Sequence, residues 1–113
     1  MKKIEAIIRP HMFTYVKESL DRIGYNGLTV TEVEGHGRQG GVTQFFRGRK
    51  YNLALIPKVK VEIVAAGAKV SRIVKCILKA ASTGKEGDGK VFVYGIQEAY
   101  QVSSGASGEK VVS

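Results

Sequence analysis

At 113 residues, with 43% apolar and 25% charged side chains, the chain reads as one globular domain rather than a disordered or multidomain polypeptide. No apolar run approaches the roughly 18 residues that a membrane span needs, and one cysteine with two histidines excludes a disulfide framework and an intrachain zinc site. The net charge of +8 favours phosphates, nucleic acids, acidic proteins or anionic membrane surfaces. Yet the basic residues are scattered, with small clusters only at Arg47–Lys50 and Lys58–Lys60 and no DNA-reading motif.

In "MKKIEAIIRP" the residues Ile4, Ala6 and Ile8 alternate and the pattern stops at Pro10, which predicts a strand. Glu5 interrupts its apolar stretch and no small-residue cleavage site follows, so neither a signal nor a transit peptide is expected and the cytoplasm is the expected compartment. From Met12, the residues Phe13, Val16, Leu20 and Ile23 recur at helical spacing, ended by Gly24 and Asn26-Gly27. Leu28 to Val33 alternates and is β-branched, predicting a second strand. A third runs through Val59, Val61 and Ile63, with Pro57 near its start. Val70, Ile73, Val74, Ile77, Leu78 and Ala81 mark one face of a second helix, in which Cys76 reads as a structural thiol. Lys90 to Tyr94 is a fourth strand, Ile96 to Val102 a short fifth, and the polar tail from about residue 103 to 113 is expected to be mobile.

The order β-α-β-β-α-β specifies an α+β, ferredoxin-like domain spanning residues 1–113, with both helices on one face of an antiparallel sheet. Apolar residues on both faces of the strands predict that a partner subunit covers the other face, making the protein an oligomer. Between Val33 and Leu53 the stretch "EGHGRQGGVTQFFRGRKYN" shows no sustained periodicity. Loops beyond about 12–15 residues are usually functional or disordered. This one, over residues 36–54, combines glycines and arginines with Phe45, Phe46 and Tyr51, as a segment that orders on binding a protein would.

"TGKEGDGKVFVY", Thr83 to Tyr94, carries the clearest chemistry. Glycines at residues 84, 87 and 89 let backbone N–H groups converge on an anion, and Lys90 adds a point charge for phosphate over the loop 83–90. As a bare turn the stretch would only join a helix to a strand. Gly84 to Lys90 spells G-x-x-x-x-G-K, but Val91 replaces the Ser/Thr that holds Mg²⁺ in a P-loop, and a strand follows where a helix should start. The loop therefore reads as a phosphate cradle of another kind. No nucleophile–base pair is evident, so an enzyme is not expected.

Over nearly its whole length the sequence resembles the PII family of trimeric nitrogen and carbon signalling proteins. The resemblance is carried by "MKKIEAIIRP", "GLTVTEVEGHGRQ", Lys58 in "PKVKVEIV" and "TGKEGDGKVFV"; the last matches a family signature fully, whereas "FFRGRKY" keeps only Arg47, Gly48 and Tyr51 of another. It implies a homotrimer of ferredoxin-like subunits with an adenine nucleotide (ATP, ADP or AMP) in each intersubunit cleft. Thr29, Gly35, Gly37 and Arg38 then match positions lining the nucleotide, and Gly87, Asp88, Gly89 and Lys90 the loop around its phosphates. Gln39 matches the family's Mg²⁺ ligand and Lys58 the cation that pairs with a 2-oxoglutarate carboxylate. Tyr51 matches a site of nucleotide modification in some members, and Arg47 the tip inserted into ammonium channels. The implied role is allosteric control of a membrane transporter or metabolic enzyme, with reversible recruitment to the membrane.

The departures bear on the ligand. Gln101 and Ser103 stand where the family usually places two arginines near the phosphates, and Gly40 where a lysine is common. A variant that senses ADP or AMP with bicarbonate or another metabolite is the alternative within the family. A basic nucleic-acid-binding ferredoxin-like domain is the alternative outside it, without an RNA-binding aromatic signature to support it.

Overall fold

The computed structural model describes residues 1–25, 27–36, 42–46, 49–53 and 55–112. Strand β1 (Lys2–Ile8) leads through a 3₁₀ turn at Pro10–Met12 into helix α1 (Phe13–Arg22). Strands β2 (Thr29–His36), β3 (Val42–Phe46), β4 (Arg49–Leu53) and β5 (Leu55–Ala65) follow, then helix α2 (Gly67–Ala81) and strand β6 (Gly89–Gly95). The main sheet has the order β2-β5-β1-β6 and every neighbouring pair in it is antiparallel. With two helices, this is the expected ferredoxin-like α+β arrangement. Among the described residues no helix is long and apolar enough to cross a membrane.

Periodicity dictates the packing. Ile4, Ala6 and Ile8 on β1 and Val59, Val61, Ile63 and Ala65 on β5 point to one face. There they bury against Val16 and Leu20 of α1 and Val70, Ile73, Ile77 and Ala81 of α2. Each fully buried Ile or Leu contributes roughly 1.5–3 kcal/mol of burial free energy, so this interdigitated layer holds the helices down. Helix α1 stops where Gly24 takes φ 85°: its N–H donates to the Asp21 carbonyl and that of Tyr25 to the Leu20 carbonyl, at 3.0 and 2.9 Å. Those two bonds satisfy carbonyls that a helix end leaves over.

The structure bears on three expectations. The opposite sheet face does carry apolar residues, Ile7, Val33, Val64, Phe92 and Tyr94, but they are interleaved with Lys3, Glu5, Lys58, Lys60, Glu62 and Lys90, as the strand register requires. Its charges neutralise one another in part. Glu62 pairs with Lys3 and Lys60, the Tyr94 hydroxyl donates to Glu5 at 2.8 Å, and the Lys3 ammonium lies 5.7 Å from the Tyr94 ring centre. Second, β2 runs on to His36 against β5, and β3 and β4 pair as a separate hairpin where a loop without secondary structure was expected. Third, Ile96 to Val102 is not a strand. The Ile96 N–H reaches the Met1 carbonyl at 3.0 Å, and the ladder between β1 and β6 ends there. The chain turns back instead, with a bridge from Tyr100 to Ser107 and a 3₁₀ turn at Glu109–Val111 in the tail.

Candidate functional site

Helix α2 ends at Ser82 in extended conformation, and residues 83–88 carry the chain to β6. Asp88 organises that loop from within. Its carboxylate accepts bonds from the Thr83 hydroxyl, the Thr83 N–H at 2.8 Å and the Gly84 N–H at 3.0 Å, while Arg9 Nε donates to it at 3.2 Å. These donors, led by the Thr83 hydroxyl, hold the Asp88 carboxyl far below the usual carboxylate range. Arg9 also donates from Nη2 to the Glu86 carbonyl at 2.8 Å, and the Lys58 ammonium to the Gly87 carbonyl at 2.5 Å. Two cations from the ends of β1 and β5 thus fasten one short loop.

The glycines serve this geometry in different ways. Gly84, Gly87 and Gly89 have φ 78°, 93° and 113°. A Cβ on Gly89 would stand 1.7 Å from the Ile7 carbonyl oxygen, whereas one on Gly84 would meet nothing within 4 Å. Gly89 therefore lets the loop enter the sheet beside β1, and Gly84 supplies only the turn. With Thr83 and Gly84 donating to Asp88, the N–H groups of Glu86 and Gly87 at the tip have no partner among the described residues. An incoming phosphate would find those donors together with Lys90 on the adjoining strand.

Lys58 is buried to 8% exposure, and burial first, then the nearby Arg9, lowers its pKa, with Asp88 opposing. A Cβ added to Gly35 would lie 3.3 Å from Cγ of Lys58, so a larger residue there would press on the lysine stem at that end of β2. Gly35, Lys58 and the loop Gly87–Lys90 are thus brought together. Thr29 is not among them: it lies six residues along β2, about 20 Å away at ~3.3 Å per residue. It opens instead onto a groove of about 940 Å³ whose walls include Gly27, Tyr25, Glu62, Val64, Lys69 and Tyr100. Gln101 and Ser103 are exposed in the turn that follows. Tyr51 lies on β4, while Gly37, Arg38, Gln39, Gly40 and Arg47 lie outside the described residues. Among the described residues no cluster of histidine, cysteine or acidic side chains could hold a metal ion.

Arg9 and Thr83, which hold the loop, and Gly27, Glu62 and Val64, which line the groove beside Thr29, were not singled out by sequence. An arginine placed just after an alternating strand and just before Pro10 was the available signal for the first. The groove residues belong to strands and a turn whose pairing had to be known before they could be grouped.

Residues 1–106 match the family model described as "Nitrogen regulatory protein P-II". A protein of that name from Rhodospirillum rubrum is 51% identical over 108 residues, covering 96% of each chain. "Nitrogen regulatory protein P-II 2" of Methanothermobacter thermautotrophicus is 48% identical over 112 residues, covering 99% of this chain and 97% of its own. The Pasteurella multocida protein named "Nitrogen regulatory protein P-II" is 46% identical over 112 residues, covering 99% of this chain and all of its own. With a ferredoxin-like sheet and matches that run nearly end to end, the chain belongs to the nitrogen regulatory P-II family of signalling proteins.

Proposed function

We propose that this protein is a regulator, not a catalyst, which binds an adenine nucleotide in clefts between the subunits of a homotrimer. The observation that carries this is the separation of two half-sites on one chain. The loop 83–90 with Lys58 and Gly35 offers donors and cations for phosphates, while the groove beside Thr29, about 20 Å along the same strand, suits a base and ribose. One chain cannot close both around one nucleotide, but two neighbouring chains can each contribute one. Arg38 and Gly37 would complete the phosphate side, with Gln39 holding Mg²⁺ when ATP is bound.

Lys58 is the residue for a small anionic effector such as 2-oxoglutarate, which would compete for its ammonium with the Gly87 carbonyl. Occupancy would then reach residues 36–54, with Arg47 and Tyr51, and through them a membrane transporter (for ammonium or another solute) or a metabolic enzyme. Gln101 and Ser103 favour a second version of this reading, in which ADP or AMP is the main ligand and bicarbonate or another metabolite the effector. Isothermal titration with ATP, ADP and AMP, each with and without 2-oxoglutarate or bicarbonate, tests both. Saturable binding of a nucleotide supports the proposal, and no binding of any of the three ends it.

A further inference from the structure

Helix α2 carries a basic surface that starts at the wall of the groove beside Thr29, with Lys69 and Arg72, and runs on beyond it through Lys75 and Lys79, which the nucleotide reading does not use. At 100° per residue, Lys69, Arg72, Lys75 and Lys79 fall within about 120° of one another around the helix, opposite the buried arc of Val70, Ile73, Ile77 and Ala81. All four are exposed, the helix has no acidic residue, and among the described residues no carboxylate forms an ion pair with any of them. Leu78, 53% exposed, sits on the margin of this stripe beside Lys75 and Lys79. Over ten residues the stripe is about 15 Å long.

We propose that the outer face of α2 docks onto an anionic phospholipid surface. Charge complementarity selects an anionic occupant, and the composition of the stripe selects among anions. Lysine is depleted in the cores of protein–protein interfaces, so a face with three lysines and one arginine is poorly suited to an acidic protein. Reading of nucleic acid bases relies on arginine and amide side chains, and α2 offers one arginine and no amide. With the apolar face of α2 committed to the core, its lysine-rich outer face is suited to rest on anionic headgroups through its ammonium groups, with the exposed Leu78 beside them. Such a contact would hold the protein at a membrane independently of any protein embedded there.

The test is co-sedimentation of the full-length protein with vesicles of phosphatidylcholine alone or with 30% phosphatidylglycerol. The expected result is binding to the anionic vesicles only, declining as salt rises. Each basic residue near such a surface strengthens binding roughly fivefold, so Lys75→Ala with Lys79→Ala should weaken it about 25-fold. The pair Lys75→Arg with Lys79→Arg should keep it, and so should Lys17→Ala on α1, whose ammonium is paired with Asp21. Equal binding to neutral vesicles, full binding by the double alanine variant, or displacement from vesicles by an equal charge concentration of duplex DNA would each overturn the proposal. Circular dichroism of the variants separates lost binding from lost folding. Should the alanine pair fail to fold, the neutral-against-anionic comparison on the parent protein still decides.

Discussion

Arg9 and Asp88 lie 79 residues apart and meet through one contact, Nε to Oδ1 at 3.2 Å, that ties the end of β1 to the loop before β6. The same carboxylate holds the N–H groups of Thr83 and Gly84, so one side chain both closes the loop and anchors it to the sheet. A loop already folded would spend less of a ligand's binding energy on ordering.

Asp88→Asn should loosen the loop without disturbing the core. Amide hydrogen exchange at Thr83 and Gly84 should accelerate, while exchange at Ile4 and Ile73 should not change. The pH dependence follows from the lowered carboxyl pKa. Below the ordinary aspartate value of about 3.9 the unfolded chain takes up a proton that the folded chain resists, so stability rises with pH there. The contribution is complete above that value and is lost as pH falls toward the lowered one. Acid unfolding of Asp88→Asn should therefore show a shallower loss of stability below about pH 4; an acid limb identical to that of the parent would contradict the assignment.

Gly89 and Gly84 should separate in their tolerance of alanine. At Gly89 both the φ of 113° and the Ile7 carbonyl oppose a Cβ, so Gly89→Ala should cost about 3 kcal/mol or more. The melting temperature should fall by at least about 10 °C. At Gly84, with open space around it, only the φ of 78° resists, and the cost should be about 1–2 kcal/mol. Thermal melts of the two variants compare them directly, and equal losses would mean that the loop enters the sheet differently.

Much of this was legible in the sequence because burial imposes period on it. Ile4, Ala6 and Ile8, and Val70, Ile73 and Ile77, announce a strand and a helix, and the glycines with Lys90 announce the loop. What was not legible depended on pairing across the chain. Lys58 and Gly87 meet over 29 residues, and no local pattern links a strand lysine to a turn carbonyl. The charged residues of the second sheet face alternate with the core residues, so the side they take was readable; their mutual pairing, as of Lys3 with Glu62 and Tyr94 with Glu5, required the register. The hairpin β3–β4 escaped because neither VTQFF nor RKYNL sustains an apolar–polar alternation over its five positions.

Shared half-sites make a prediction about assembly. Light scattering should give a mass near three times 12.3 kDa, and a stable monomer at micromolar concentration would defeat the cleft argument. Mixing supplies a sharper test. Thr29→Glu and Lys90→Glu should each abolish nucleotide binding in homomers. Refolded together, they should recover part of it, because some clefts then pair an intact Thr29 half with an intact Lys90 half. A site contained within one chain would show no recovery.

Nucleotide preference should reflect which cations the cleft retains. On the proposed reading, Lys90 and the tip N–H groups of Glu86 and Gly87 are the phosphate donors, while Gln101 and Ser103 stand where the resemblance to the PII family places two arginines. Loss of a charge-assisted hydrogen bond in a desolvated site lowers affinity by roughly ten- to a hundredfold, so Lys90→Ala should weaken every nucleotide by about that factor. The absent arginines matter most for the most highly charged ligand, because each further phosphate brings negative charge that needs a partner. ATP should therefore hold little or no advantage over ADP or AMP. Its advantage should return when Gln101→Arg and Ser103→Arg are introduced together. A 2-oxoglutarate response that depends on Mg-ATP should be weak in the parent and stronger in that double variant. Titration calorimetry on the parent and the arginine pair measures both effects. Tight ATP binding by the parent, strengthened by 2-oxoglutarate and unchanged by the two arginines, would mean that Arg38 and Lys90 suffice and that the departures at residues 101 and 103 carry no weight in ligand choice.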